Sequence, residues 1–341
     1  MKRIGYLYDK MLDKEFIKKI ILQASKRKTK RKEVIRVLNN IDLYTDKIYK
    51  MLVTKDIQLR PTHQRTIKEK GKERLITISP FYPNQILDYM LVELTKPIIR
   101  KSMYTYCIGN VDKRGIHYGK NYIEKNIHNY TYYIKLDIRH FYQNVRKKLL
   151  VQCFEKKIKD KQFIWFINQI IAEDLPIGCY YSQWFSNFFL CELDHLVKER
   201  CGIECYIRYV DDIVMCSNNQ RKLKSTRYFV YKYLMTNMLE LKYLPSVRKI
   251  NTLSSISFIG FKFYCDKVML RNKIFKKLNE AIKHISKHIC SKLVKRALNY
   301  ISWLRHTTYG YAYYIKNIKE IIKFGKLRYM ASVCYAYDRD K

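Results

Sequence analysis

The chain has 341 residues, 48% of them hydrophobic, and a formal net charge of +38 from 68 Lys+Arg against 30 Asp+Glu. That apolar content builds a sizeable core in more than one lobe and excludes a disordered chain; no segment approaches a membrane span, and the start has no apolar run of signal-peptide length. A soluble protein this basic repels itself unless a polyanion is near, and bases spread along the whole chain fit a groove for nucleic acid better than a tail.

The 31 Tyr and 15 Phe interleave with those bases, a composition that suits single strands: bases stack on rings while Lys and Arg track phosphates. The ten cysteines show no Cys-x-x-Cys pairing, and Cys191, Cys216 and Cys265, in apolar stretches, read as small core residues in a reducing cytosol.

In chain order, residues 1 to about 60 read as helical and basic, with an amphipathic pattern over Glu15 to Gln23 and a dense positive run from Lys26 to Lys32. Arg74 to Ile78 reads as a strand, broken by Ser79, Pro80 and Pro83. Ile86 to Ile99 has helical periodicity. Tyr130 to Leu136 is β-rich and ends at Asp137. Residues 146 to 171 look helical, and Tyr180 to Arg200 reads as one long helix. Phe258 to Phe263 is a short strand or hairpin, and Ile274 to about Phe324 is mostly helical. Helices, a mixed β core and then helices fit an α+β fold.

The chemistry concentrates at Tyr209-Val210-Asp211-Asp212. Apolar residues flank the two acids, as in a β-hairpin whose tight turn is made of acid. Like charges side by side are costly, and a divalent cation removes that cost; hard cations such as Mg²⁺ take carboxylate oxygens and share their shell with water and phosphate. Asp137 closes an apolar strand, where a carboxylate can face a cleft. If that strand packs beside the Asp-Asp hairpin, three carboxylates converge as a two-metal site, with Ile138 adding only its backbone carbonyl.

These residues resemble reverse transcriptases. Leu136 to Tyr142 resembles the palm motif with the first catalytic acid, and Tyr209 to Asp212 the Tyr-x-Asp-Asp box. Phe258-Ile259-Gly260-Phe261 looks like the start of the primer grip, and Lys72-Glu73-Arg74-Leu75-Ile76 like the fingers strand that meets the triphosphate. All four occur in the family's order, and the resemblance covers roughly residues 60 to 310.

It implies a right-hand polymerase: N-terminal helices and fingers over 1–128, a palm over 129–265 with a helical insert at about 146–175, and a short helical thumb and tail over 266–341. It implies RNA-templated DNA synthesis from deoxynucleoside triphosphates (dNTPs), with two Mg²⁺ at Asp137, Ile138, Asp211 and Asp212. Lys72 and Arg74 would meet the phosphates, with Arg65 and Lys68 as competitors. Tyr142 would be an aromatic gate against a ribose 2′-OH. Lys242 and Lys249 are both candidate general acids for pyrophosphate.

One motif narrows the resemblance. Where the family commonly has Gln-Gly-x-x-x-Ser-Pro, this chain has Ile177-Gly178-Cys179-Tyr180-Tyr181-Ser182-Gln183. Ile177 and Gln183, with the segment Ile301 to His306, are similar to reverse transcriptases of diversity-generating retroelements. That group copies a template-repeat RNA into cDNA with errors at adenines, for mutagenic retrohoming, and often pairs with a small basic accessory protein. Template RNA, the cDNA/RNA hybrid and that protein are the implied partners, in a bacterial or phage-infected cytoplasm without membrane. An Ile at 177 cannot hydrogen-bond a nucleotide as Gln can, which fits relaxed fidelity. Group II intron-like, retron or defence-associated enzymes form a second reading, opposed by Ile177 and Gln183. A basic RNA-binding scaffold without chemistry is a reading of another class, opposed by the acid triad.

Overall fold

The computed structural model describes residues 3–69, 72–287 and 291–319. The N-terminal region forms helices α1 (Leu7–Met11), α2 (Lys14–Ser25), α3 (Lys32–Asn39) and α4 (Ile41–Val53), followed by strands β1 (His63–Glu69) and β2 (Lys72–Ile78). Helices α5 (Ile86–Ser102) and α6 (Ile116–Asn126) lead into β3 (Tyr132–Arg139) and helices α7 (Phe141–Asn144), α8 (Lys147–Glu155), α9 (Lys161–Ile170), α10 (Tyr180–Phe189) and α11 (Cys191–Glu199). Then come the hairpin β4 (Cys205–Tyr209) and β5 (Asp212–Ser217), helix α12 (Gln220–Thr236), and the short strands β6 (Glu240–Leu241) and β7 (Arg248–Lys249). Strands β8 (Ile256–Phe258), β9 (Phe261–Phe263) and β10 (Val268–Leu270) precede helices α13 (Asn272–Lys287), α14 (Ser291–Leu304) and α15 (Gly310–Asn317). The helical reading beyond Lys319 lies outside the described residues. Among the described residues no helix is long and apolar enough to cross a membrane.

The chain divides into two compact units. Among the described residues, the first comprises those up to 110, 137–201 and 227–243; the second comprises 111–136, 202–226 and those from 244 to 319. The first is built around α5 and α10. In α2, Asp13 caps the N-terminus by accepting from the Glu15 N–H, and Ile17, Ile20, Ile21 and Ala24 bury one stripe against α5. Each of the three Ile side chains contributes roughly 1.5–3 kcal/mol by leaving water. The π-face of Tyr89 stacks on Tyr180, 3.9 Å between centroids, joining α5 to the start of α10.

The expected single helix from Tyr180 to Arg200 is instead two, α10 and α11, broken at Leu190 (φ −93°, ψ 2°). The break falls where the sequence changes character. Trp184 to Phe189 are all buried, whereas α11 buries only Cys191, Leu193, Asp194 and Val197 and leaves Glu192 and Glu199 exposed. Residues 146 to 171 likewise form two helices, because Asp160 accepts from the Phe163 N–H and so caps a fresh start.

Asp137 lies on β3, and Asp211 and Asp212 lie at the β4–β5 hairpin. In the second unit, β4 and β5 are antiparallel and nearly every residue is buried, as expected of strands covered on both faces. There too, β7 pairs with Tyr132 and Tyr133 of β3. In the first unit, Ile138 and Arg139 pair with Leu241 and Glu240 of β6.

Candidate active site

In the second unit the β4–β5 register pairs Tyr209 with Asp212, so the two-residue turn is Val210-Asp211 and Asp212 is the first residue of β5. The sequence reading put both acids in the turn; the register puts one in the turn and one on the strand. Val210 holds φ 57°, a left-handed conformation that a β-branched residue adopts only under constraint. Part of that constraint is visible: the wholly buried Arg208 donates from Nη1 to the Val210 carbonyl at 3.0 Å. The Tyr209 phenol is pushed up, first by burial and then by the negative charges of Asp211 and Asp212.

Lys135 answers part of that charge. Its Nζ lies 2.9 Å from Asp212 Oδ1. That oxygen is closed to solvent and has no aligned hydrogen-bond donor, so the contact is ionic. The sequence reading missed Lys135. Its signal was position: two residues before Asp137 on one strand, hence on the same face.

In the first unit, Asp137 sits on β3 with its carbonyl accepting from the Lys242 N–H at 2.8 Å. The Lys242 ammonium stands 3.6 Å from Asp137 Oδ2. Lys249, the other candidate acid, pairs with Tyr132 in the second unit. Within the first unit, Lys242 is the candidate acid beside Asp137. The Ile138 side chain is buried, which leaves its backbone as the only group it can offer. Tyr142 lies on α7, half-buried, and its carbonyl accepts from the Leu175 N–H at 3.1 Å.

The same unit joins the Ile177-Gly178 segment to β2. The Thr77 N–H donates to the Ile177 carbonyl at 2.7 Å. Gly178 has φ +123°, and a Cβ there would collide with the Thr77 carbonyl and press on Ile76. The β1–β2 register sets Arg74 opposite Ile67 and Arg65 opposite Ile76. Arg65 and Arg74 thus share the face of Ile76, the residue that meets Gly178, while Lys68 lies on the other face with Glu73, 3.4 Å away. The side chain of Lys72 lies outside the described residues. Gln183 is exposed on α10 between buried neighbours, and Ser182 Oγ donates to the Pro176 carbonyl at 2.6 Å, fixing the turn before it.

Back in the second unit, Phe258 and Phe261 pair across a two-residue turn, Ile259-Gly260, with φ 41° and 90°. The Gly260 hydrogen faces the Trp303 indole, which also stacks on Phe261 at 5.4 Å. The segment expected to be a thumb landmark therefore packs on the turn expected to be a primer grip.

Among the described residues no three His, Cys, Asp or Glu side chains gather as a ready-made metal cluster. The donor chemistry nonetheless suits a hard divalent cation. Asp137 and Asp212 are partly exposed carboxylates, each facing an ammonium, and Asp212 Oδ1 has no aligned donor.

Residues 53–263, more than half of the chain, match the reverse transcriptase (RNA-dependent DNA polymerase) family, and the chain belongs to that family. Among solved structures it is similar to apo telomerase from Candida tropicalis, with TM-score 0.51 and 13% identity over 80% of this chain and 61% of that one. It is also similar to telomerase from Candida albicans in complex with a TWJ fragment of telomeric RNA, with TM-score 0.47 and 11% identity over 88% of this chain and 65% of that one. The fold is the α+β right-hand polymerase fold. The chain spans less than two thirds of the length of these solved structures. No curated protein matches its sequence.

Proposed function

We propose that this chain is an RNA-directed DNA polymerase, and that it serves a diversity-generating retroelement, copying a template-repeat RNA into cDNA with errors at adenines. The observation that carries the polymerase reading is the Val210-Asp211 turn, set with Asp212 in a chain of the reverse transcriptase family. The retroelement reading is supported by Ile177 and Gln183.

Asp137, Asp211 and Asp212, with the Ile138 carbonyl, would hold two Mg²⁺, which when bound ease ionisation of the primer 3′-hydroxyl and neutralise charge on the departing pyrophosphate. The chain's own groups do the rest. Lys242, beside Asp137, would give a proton to pyrophosphate. Arg74, with Arg65 on the same face of the ribbon, meets the triphosphate, and Lys72 is assigned with them. Tyr142 excludes a 2′-hydroxyl. Gly178 lets backbone approach the nucleotide, and Ile177 and Gln183 border it. Phe258, Ile259, Gly260 and Phe261 hold the primer strand.

Fingers, palm and thumb follow the divisions at 128 and 265. Template RNA, the cDNA/RNA hybrid and a small basic accessory protein are its partners, in the cytoplasm of a bacterial or phage-infected cell.

The test is to supply the chain and accessory protein with an RNA template, DNA primer, dNTPs and Mg²⁺, and to sequence the product. DNA with errors concentrated opposite template adenines supports the proposal. Errors spread evenly over the four bases favour the group II intron-like or retron reading. No DNA product favours the scaffold.

A further inference from the structure

Adjacent carboxylates at a turn repel, and the second unit supplies a cation of its own against that repulsion. Lys135 and Asp212 are 2.9 Å apart, and their side chains are only 22% and 28% exposed. At that depth the pair is screened less than a surface ion pair. Lys135 reaches Asp212 Oδ1, the oxygen closed to solvent and without an aligned donor. The same ammonium lies 6.0 Å from the ring centroid of Phe258 on β8, so it is held between the acid turn and the β8–β9 hairpin.

We propose that Lys135 is a built-in counter-ion of the metal site: it holds Asp212 while the site is unfilled, competes with a divalent cation for that carboxylate, and so sets the metal concentration at which the site fills. The inference rests on reading Asp211 and Asp212 as metal ligands. A dication on Asp212 and an ammonium on the same carboxylate stand within a few ångströms of each other and repel. Either the ammonium withdraws, with the Phe258 ring as its remaining partner, or the cation binds against its field; both weaken binding. With a carboxylate about a quarter exposed, solvent screening leaves an effect of about tenfold in affinity.

A purely structural Lys135 predicts the opposite sign. If its task were to fix Asp212 in a ligating orientation, removing it would loosen the metal site.

The test uses Mn²⁺ alone as probe, with free Mn²⁺ read by electron paramagnetic resonance in the full chain without nucleic acid. Lys135→Met should bind Mn²⁺ about tenfold more tightly than the parent, and Lys135→Arg, which keeps the charge, should bind as the parent does. Lys135→Gln is the second neutral variant and should follow Met, which guards against a folding defect in either one. Melting without metal confirms that each variant folds, and the rise in melting temperature on adding Mg²⁺ should be larger for the neutral variants. Unchanged or weaker Mn²⁺ binding in folded neutral variants, with Asp211→Asn still abolishing binding, overturns the counter-ion proposal and leaves the metal reading standing. A parent protein with no Asp211-dependent Mn²⁺ binding overturns both.

Discussion

A single hydrogen atom in place of a methyl group decides whether β2 can lie against the segment before α10. At Gly178 the backbone has φ +123° and the Thr77 carbonyl occupies the space a Cβ would need. Gly178→Ala should therefore cost about 2 kcal/mol or more, read as a lower urea midpoint, and should raise KM for dNTPs more than it lowers kcat; an unchanged midpoint would contradict the packing described. Its neighbour Ile177 holds β2 through its carbonyl, a bond that any side chain permits. Ile177→Gln can thus change the nucleotide's surroundings without detaching β2, and it should lower misincorporation opposite adenine about tenfold in a sequencing assay, the size of one gained hydrogen bond. An unaltered error spectrum would remove Ile177 from the fidelity argument. At this scale the sequence was legible where chemistry demands a residue type at a spacing, as with Asp211 and Asp212. For Lys135 the spacing to Asp137 gave the face but not the partner, because an ion pair with Asp212 depends on a strand register that no local pattern reveals.

Helices announced themselves by their stripes, as in α2, where Ile17, Ile20, Ile21 and Ala24 recur on one face. Strand β1 did not. Its residues His63 to Lys68 are almost all exposed, so the pairing with β2 leaves no apolar alternation to read. The break at Leu190 was hidden for the converse reason: residues buried on nearly every side carry no phase from which a change of direction can be seen. The joint between α5 and α10 yields a pH prediction. Asp88 is buried on α5, accepts from the Tyr180 N–H at the start of α10, and has its pKa raised to about 7 by burial. A carboxyl raised in this way holds its proton more tightly in the folded chain than in the unfolded one. Its contribution to stability is full below about pH 4 and is lost as pH rises through 7. The parent should lose on the order of 2–3 kcal/mol relative to Asp88→Asn between pH 5 and 8, measured by denaturant unfolding at both pH values. Parallel pH profiles for the two proteins would contradict a buried, proton-holding Asp88.

A net charge of +38 on 341 residues is a property of the molecule as a whole, and it sets how the chain meets a polyanion. If RNA is held mainly through its phosphates, affinity must fall steeply with salt. A log–log slope of about −4 or steeper, from filter binding between 50 and 300 mM salt, corresponds to six or more neutralised phosphates on a single strand. A flat salt response would mean that the charge is not spent on nucleic acid. Charge alone does not separate a polymerase from a scaffold; the proposed role of the three carboxylates does. The most direct test is primer extension on an RNA template with dNTPs and Mg²⁺, comparing the parent with Asp137→Asn, Asp211→Asn and Asp212→Asn. Each substitution should lower the extension rate by about a thousandfold or more while RNA binding persists. A variant at Asp137 that extends as fast as the parent while those at Asp211 and Asp212 fail would contradict a site shared by all three.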